Sequence, residues 1–342
     1  MIISTEQVSK YHPDKYADQI SDAILTECLR QDPESHVAVE TMVKDTIVIL
    51  GGEITSNASL NYEEIVNRVA DKLNYKVTGI INLIGKQSPE INNAVISKDN
   101  LGAGDQGIMF GYATKETESR LPFAFDLANK IIKKIEGDVW YGVLKGDAKT
   151  QVTYNTETQK VESVLVSVCH KENYSLEYIQ EYVKTLLEGL VDPDVLLVNP
   201  AGTWTIGGPI ADCGLTGRKI VCDQYGGFCP VGGGAFSGKD PTKVDRSASY
   251  MARKIAVDLI DEFDFDWCEV QLGYAIGVPE PVSVNVRTSD NVAYDIDFND
   301  YVRACYNLTP AGIIEHLGLL DIDYEQLSEG CHYRYREGID WN

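Results

Sequence analysis

The stretch that decides the fold consists of four consecutive segments: ADQISDAILTECLRQ at 17–31, VAVETMV at 37–43, TIVILGGEI at 46–54 and NYEEIVNRVADKLN at 61–74. The first and last place apolar residues at helical spacing, as one buried face of a helix requires. The middle two are rich in β-branched residues and lie close together, which favours an antiparallel hairpin. The stretch therefore predicts the order helix, strand, strand, helix.

The same order of elements occurs twice more along the chain. The second set is predicted at Pro122–Glu136, Gln151–Tyr154, Lys160–Val168 and Ser175–Leu190, and the third at Val244–Phe263, Cys268–Ile276, Val282–Thr288 and Asp297–Asn307. No similarity between individual residues accompanies this order, so the argument rests on the pattern alone. The simplest architecture is α+β, with three units that each place helices over one face of an antiparallel sheet.

Composition excludes several classes of protein. The chain has 342 residues, 44% of them hydrophobic, and can bury a large core in two or three domains. Its 30 Lys and Arg against 52 Asp and Glu give a net charge of −22, which argues against a nucleic-acid partner. No apolar run approaches the length of a membrane span, and the N-terminus lacks a signal-peptide pattern. With eight scattered cysteines and no CxxC pair, we expect a cytoplasmic protein without a membrane partner.

Positive charge and glycine are concentrated in one segment. Between Asp212 and Lys254 seven basic residues face four acidic ones, whereas from Ile255 onward 18 acidic residues face four basic ones. Eleven of the 29 glycines lie between Gly202 and Gly238. Because glycine lets backbone N–H groups approach a ligand, the segment predicts an anion-binding site. A set of tight turns beside a solvated helix would have the same composition.

Two long connections, Thr78–Phe110 and Val195–Thr242, separate the three units and are expected to carry function. Each contains a glycine motif in an unusual context. GAGDQG at 102–107 fits the dinucleotide pattern, but it precedes a predicted strand instead of opening a helix, which excludes a Rossmann site. GGAFSGK at 233–239 has the spacing of a P-loop, but Asp240 follows where a P-loop needs Ser or Thr. Its lysine and backbone amides can still bind phosphate without that fold.

Three short polar motifs are unremarkable when each is taken singly. HPDK at 12–15 is typical of the start of a helix, with Pro13 and Asp14 as capping residues. DAK at 147–149 opens a predicted strand, and Glu53 would be an ordinary carboxylate at a strand end. On these grounds alone their function is open.

Taken together and in order, seven strings resemble S-adenosylmethionine synthetase (methionine adenosyltransferase). They are HPDKYADQISDAIL at 12–25, GGEIT at 51–55, GKQSPEIN at 85–92, GAGDQGIMFGYAT at 102–114, DAKTQVTY at 147–154, IGGPIADCGLTGRKIVCDQYGG at 206–227 and GGGAFSGKDPTKVDRSASY at 232–250. The resemblance extends from about Ser4 to about Leu320, and its last three strings are nearly diagnostic of the family.

This resemblance implies three α+β domains related by pseudo-threefold symmetry, with suggested bounds 1–92, 103–206 and 207–342. It further implies a homodimer or a dimer of dimers with active sites at the dimer interface, two Mg²⁺ ions per site and activation by K⁺. The implied reaction joins L-methionine to ATP by attack of the sulfur on ribose C5′. Hydrolysis of the tripolyphosphate to phosphate and pyrophosphate would follow.

The resemblance also assigns roles to residues that match the family motifs. The catalytic residues would be His12, Lys149, Arg218 and Lys239. ATP would be bound by Asp147, Lys149, Trp204, Asp212, Arg218, Lys219, Ala235 and Lys239, and methionine by Glu53, Gln87, Asp105, Asp212 and Lys243. Mg²⁺ would be held by Asp14 and Asp245, and K⁺ by Glu40. In this set His12 lies beside the breaking C5′–O5′ bond, Trp204 stacks on adenine, and the segment Thr78–Gly104 forms a flexible lid.

The chemistry of this reaction explains why the set is rich in cations. A thioether sulfur is already nucleophilic and has no proton to lose, so its attack needs no general base. The leaving triphosphate gains negative charge as the C5′–O5′ bond breaks. Catalysis therefore requires preorganised cations and in-line positioning of the reactants.

Some positions depart from the family pattern: Lys10 and Tyr11 stand in place of Glu-Gly, Thr203 in place of a basic residue and Val231 in place of a histidine. Two alternatives remain: a nucleotide phosphotransferase that uses the loop at 233–239, and a non-catalytic regulatory relative, which would explain these departures. Asp240 argues against the first, and the intact charged positions argue against the second.

Overall fold

The computed structural model describes residues 1–86, 96–97, 100–289, 294–334, 339 and 341. Gln87 and part of the predicted lid, Thr78–Gly104, lie outside these residues. Among the helices of the described part, none is long and apolar enough to cross a lipid bilayer.

Five of the ten helices in the described residues start where a polar side chain caps the first turn. The helices are α1 (Pro13–Gln31), α2 (Tyr62–Lys72), α3 (Phe123–Asp138), α4 (Leu176–Leu186), α5 (Gly208–Ala211), α6 (Ile220–Asp223), α7 (Val244–Phe263), α8 (Phe298–Cys305), α9 (Pro310–His316) and α10 (Tyr324–Leu327), with 3₁₀ turns at Val139–Tyr141, Pro193–Val195 and Leu319–Asp321. At α2 the Asn61 side chain accepts the Glu64 N–H at 3.2 Å. Ser175 and Asp297 cap α4 and α8 in the same way. These bonds satisfy N–H groups that a helix start leaves unpaired.

The strands of the described residues form three larger sheets and one small hairpin. They are β1 (Ile2–Val8), β2 (His36–Lys44), β3 (Ile47–Thr55), β4 (Gly79–Asn82), β5 (Ile96–Ser97), β6 (Asn100–Leu101), β7 (Gly107–Thr114), β8 (Leu144–Asn155), β9 (Lys160–His170), β10 (Leu196–Val198), β11 (Gly214–Leu215), β12 (Trp267–Tyr274) and β13 (Ser283–Thr288). The sheet orders are β11-β2-β3-β4, β1-β8-β9-β10 and β7-β12-β13, while β5 pairs with β6. The β3–β4 and β9–β10 pairs are parallel and the others antiparallel.

The three larger sheets share one plan. Each contains a predicted hairpin, β2–β3, β8–β9 or β12–β13. In each, a further strand pairs antiparallel with the first hairpin strand: β11 with β2, β1 with β8 and β7 with β12. The helices α1, α3 and α7 each contact the corresponding two strands. This arrangement confirms the predicted α+β fold of three related units with mainly antiparallel sheets and helices on one face.

Local patterns do not predict which sheet is joined by the strands from outside each hairpin unit. No strand was predicted at β1, whose partner β8 is far away in sequence, and β8 itself begins at Leu144 instead of Gln151. As a result, β1 belongs to the sheet of β8 and β9, and β7 to the sheet of β12 and β13. The sheets are therefore assembled from discontinuous segments, and the bounds 1–92, 103–206 and 207–342 stay a prediction.

Close packing of α7 on β7 positions the start of α7. A Cβ atom at Gly111 of β7 would lie 2.0 Å from the carbonyl carbon and oxygen of Ala252 in α7. Only a glycine therefore lets the helix backbone approach the strand this closely. This close approach also affects the glycine motif at 233–239, because α7 begins a few residues after that motif, at Val244.

Replacement of Gly111 by valine should destabilise the protein by about 3 kcal/mol or more, because the helix backbone must move away from the strand. Urea unfolding measures this change. The control is Gly137→Ala in α3, where an added Cβ has nothing within 4 Å. That variant should gain about 0.5–1 kcal/mol, since alanine favours the helix. Equal stability of Gly111→Val and the wild type would contradict the close packing.

Candidate functional site

The basic, glycine-rich segment is anchored along one edge of β2. Residues 214–216 form hydrogen bonds with residues 41–43, and residues 238–240 form hydrogen bonds with residues 37–39. The chain between them, 217–237, therefore leaves the sheet and returns to the same strand. This pairing holds the cations at the two ends of the segment on one side of the molecule.

The two arms of this segment touch each other where side chains are small. A Cβ atom at Gly217 would lie 2.5 Å from the Cβ of Ala235. Gly217 also has a φ of +77°, in the left-handed region that favours glycine. A larger residue at either position would separate the arms.

Three buried charged side chains hold the loop at 233–239. Asp240 accepts the Val37 N–H at 2.6 Å and pairs with Lys243, and these bonds explain an aspartate where a P-loop has Ser or Thr. Burial alone would raise the pKa of Asp240, but the Lys243 ammonium and the hydrogen bonds outweigh it and lower that pKa. Arg246 donates to the Asp22 carboxylate at 2.6 Å.

Asp22 and Arg246 were not identified from the sequence. Arg246 also donates to the Lys239 carbonyl at 3.0 Å, and the Asp22 carboxylate accepts the Gly238 N–H at 2.8 Å. The available signal was a pair of aspartates, Asp18 and Asp22, one turn apart on a predicted helix. Such charges are usually solvated, so the pattern did not indicate burial.

His12 caps α1 and is buried as a neutral imidazole. Its Nδ1 accepts the Asp14 N–H at 3.1 Å, which leaves the ring proton on Nε2. Burial, followed by the ammonium groups of Lys219 and Lys149, lowers the pKa of His12 to about 3. At neutral pH the ring can therefore donate one hydrogen bond from Nε2.

Two carboxylates of the site each accept hydrogen bonds from one backbone N–H and one lysine ammonium. Asp14 accepts the Leu215 N–H at 2.9 Å and the Lys219 ammonium at 2.5 Å. Asp245 accepts a glycine N–H of the loop at 3.0 Å and the Lys239 ammonium at 2.5 Å. Burial alone would raise the pKa of Asp14, but its two hydrogen bonds outweigh burial and lower that pKa. Each carboxylate thus lies beside an ammonium group.

The glycine motif at 102–107 lies against the start of α7. A Cβ at Gly104 would lie 3.8 Å from the Thr242 carbonyl, and one at Gly107 would lie 3.8 Å from Oδ1 of Asp245. The two long connections therefore meet at Asp245, as expected for a functional site. Within this motif Asp105 is exposed and accepts the N–H of its neighbour Gln106 at 2.8 Å.

A third part of the candidate site surrounds Asp147. Its Oδ2 accepts the Gly208 N–H at 2.7 Å, whereas its buried Oδ1 has no hydrogen-bond partner among the described residues. Burial raises the pKa of Asp147 to about 6. Trp204, on the adjoining stretch of chain, is half-buried and donates from Nε1 to the Ile206 carbonyl at 2.7 Å.

The remaining predicted residues lie on exposed surfaces. Glu40 and Glu53 are on the outer face of the β2–β3 hairpin, where Glu53 pairs with Ala38, and Ala38 in turn bridges to Lys239. Lys149, Asp212 and Arg218 are exposed. The structure thus brings the two lysine–carboxylate pairs, His12 and the glycine motifs together, while these exposed side chains make few contacts within the chain.

The three-unit α+β fold carries a cationic, glycine-rich segment, a composition typical of proteins that bind anionic ligands. Family models for the N-terminal, central and C-terminal domains of S-adenosylmethionine synthetase match residues 1–95, 100–204 and 206–342. The chain belongs to the S-adenosylmethionine synthetase family. Its enzyme class is methionine adenosyltransferase, and it serves S-adenosylmethionine synthesis from ATP and methionine.

Two relatives cover nearly the whole chain. An S-adenosylmethionine synthase of Sulfurovum sp. (strain NBC37-1) is 41% identical over 99% of this chain and 95% of that protein. A solved structure, described as an unusual S-adenosylmethionine synthetase from Campylobacter jejuni, has a TM-score of 0.88 and 33% identity, covering 99% of this chain and 96% of that one.

Replacement of Asp147 by asparagine should increase stability at pH 8. The folded state raises the pKa of this carboxyl to about 6, so wild-type stability falls as the pH rises from about 4 to about 6. Asparagine cannot ionise, and the variant should gain about 3 kcal/mol above pH 6, with the gain vanishing near pH 4. Urea unfolding between pH 4.5 and pH 8 measures the difference. The exposed control Asp194→Asn should show no such trend, and a pH-independent gain for Asp147→Asn would contradict the assignment.

Proposed function

We propose that this chain makes S-adenosylmethionine by attack of the L-methionine sulfur on C5′ of ATP. It then hydrolyses the tripolyphosphate to phosphate and pyrophosphate. The observation that carries this proposal is the matched pair Lys219–Asp14 and Lys239–Asp245, held on two arms that rest on one strand. Two ammonium groups on arms that pair with the same strand edge suit a leaving group whose negative charge grows in the transition state.

The site fits Mg²⁺ as the metal of the triphosphate. In the described residues no group of three or more His, Cys, Asp or Glu is placed to hold a metal ion. Mg²⁺ does not need such a group, because it is commonly held by one or two carboxylates together with substrate phosphates. Asp14 and Asp245 would supply those carboxylates, and bound Mg²⁺ would neutralise charge on the phosphate oxygens. Exposed Glu40 is proposed to bind K⁺.

His12 is proposed to act as a neutral hydrogen-bond donor. Its Nδ1 is occupied by the Asp14 N–H, so only Nε2 can interact with the leaving oxygen O5′. A donor at that point stabilises the charge that appears as the C5′–O5′ bond breaks. No proton needs to be removed from the thioether, which agrees with a histidine whose pKa is lowered to about 3.

The nucleoside and methionine are proposed to bind beside the two lysine–carboxylate pairs. The partnerless Oδ1 of Asp147 suits a hydrogen-bond donor of the nucleotide, and the neighbouring Trp204 ring suits stacking on adenine. Lys149, Arg218 and Lys219 would contact the phosphates beside Ala235. For methionine, Glu53 and Asp105 would bind the ammonium group, and Gln87, Asp212 and Lys243 would complete the site.

Self-association as a homodimer or dimer of dimers is part of the proposal. Met42, Ile49 and Ile81 form one cross-strand row on the outer face of the β2–β4 sheet, and Met42 and Ile81 are exposed. Glu40 and Glu53 lie on the same face by strand register. An apolar row beside these carboxylates supports a site completed at an interface between two copies.

Alanine at Lys239 or at Lys149 should lower kcat by about 10²-fold or more, since each removes a preorganised cation. Turnover is measured with methionine, ATP, Mg²⁺ and K⁺, and the products are resolved by mass spectrometry. Lys184→Ala, which removes an exposed ammonium of α4 paired with Glu181, is the matched control and should be active.

The product analysis decides between the alternatives. Equal amounts of phosphate and pyrophosphate with S-adenosylmethionine support the proposal. Formation of ADP would favour a phosphotransferase, although Asp240 is a buried anchor with its carboxylate already bonded to Val37 and Lys243. Near-normal turnover in both lysine variants would refute the roles given to these ammonium groups.

A further inference from the structure

We propose that residues 331–334 with Trp341, here called the C-terminal brace, position the loop at 233–239 for catalysis without touching substrate. The proposal rests on the proposed role of Lys239. It adds that residues which do not touch the substrate hold Lys239 in position. None of the seven ordered strings of the sequence includes the brace. Its contacts are with the back of the loop and with the chain that follows Arg218 and Lys219.

Trp341 anchors the brace in the core. Its side chain is fully buried, and its ring stacks on Tyr250 of α7 with centroids 4.3 Å apart and an interplanar angle of 13°. Its Nε1 donates to the His332 carbonyl at 3.1 Å. The stacked ring therefore ties the brace to α7, and the indole N–H ties Trp341 to His332 within the brace.

The brace reaches the loop through Phe236. The Phe236 ring packs edge-on against Tyr250 at 5.4 Å and against His332 at 5.3 Å, and the Tyr250 hydroxyl lies 2.8 Å from Nδ1 of His332. All three side chains are buried. The Phe236 carbonyl accepts the Lys239 N–H at 3.2 Å, so the ring's position sets the turn that carries the catalytic lysine.

A second set of contacts holds the other arm of the segment. The His332 N–H donates to the Asp223 carbonyl at 2.8 Å, and the Cys331 thiol donates to the Gln224 carbonyl at 3.2 Å. The Gln224 side chain donates to the Gly232 carbonyl at 3.1 Å. The brace thus connects the chain that follows Lys219 to Gly232, the residue that precedes the loop.

The loop depends on such outside contacts because it has no regular structure of its own. Gly233 and Gly238 have φ values of +69° and +81°, and the residues between them belong to neither helix nor strand. Glycine-rich chain gains no order from its own side chains. Rigid neighbours must therefore hold Lys239 in place, as the charged anchors do from one side and the brace from the other.

The test is a double-mutant cycle in the full chain between Trp341→Ala and Lys239→Ala, read as kcat at saturating substrates. Trp341→Ala alone should lower kcat about tenfold, since small displacements of a catalytic group are costly. In the Lys239→Ala background the same change should alter kcat less than about twofold, because the group that it positions is gone. Trp341→Phe, which keeps a stacked ring, should restore most of the activity.

A matched control separates positioning from general loss of stability. Val183→Ala removes a buried side chain from the core of α3, α4, β8 and β9, remote from the loop. It should lower the melting temperature without lowering kcat below the melting transition. If Trp341→Ala does not fold, Phe236→Leu replaces it in the cycle. The effect of Phe236→Leu on kcat should likewise be non-additive with that of Lys239→Ala.

Three results would overturn the proposal. An unchanged kcat with a lowered melting temperature would make the brace merely structural. An equal fold-loss in both backgrounds would mean that it acts independently of Lys239. Near-normal turnover of Lys239→Ala alone would refute the proposed role of that lysine, and the role of the brace with it. This result distinguishes failure of the proposed function from failure of the brace proposal alone.

Discussion

The functional site depends on hydrogen bonds along one edge of β2. Residues 214–216 and 238–240 pair with that edge, so a long glycine-rich excursion begins and ends on a single strand. An open strand edge needs partners for its N–H and C=O groups, and the basic segment supplies them. The same bonds that complete the sheet thereby hold Lys219 and Lys239 near each other.

Buried charges support this arrangement, although their removal from water is costly. Asp22 and Arg246 are fully buried and bonded to each other and to loop backbone groups, and Asp240 is bonded to β2. Such pairs contribute little net stability but penalise conformations that leave a charge unpaired. Their contribution is therefore best understood as selecting one loop geometry, in which Asp14 and Asp245 each pair with a lysine.

How much of the structure could be predicted depends on how far apart in sequence the interacting residues lie. The helices α1 to α4, α7 and α8 and the three hairpins were predicted because helical spacing and short connections are local signals, whereas α5, α6, α9 and α10 were not predicted. The cations and carboxylates of the site were assigned by resemblance, through ordered motifs. The burial of Asp22 and Arg246 was missed, since a charged residue on a helix has the same sequence pattern whether it faces water or a buried partner.

The sequence by itself determined the main helix and hairpin segments, the family motifs, the concentration of glycine between Gly202 and Gly238 and that of positive charge between Asp212 and Lys254. Only the tertiary structure decided that β1 joins β8, that β11 joins β2, and that the two lysine–carboxylate pairs form along one strand edge. The reason is physical: a strand edge accepts any backbone of suitable shape. Its partner is therefore selected by packing of the whole chain and not by residues nearby in sequence.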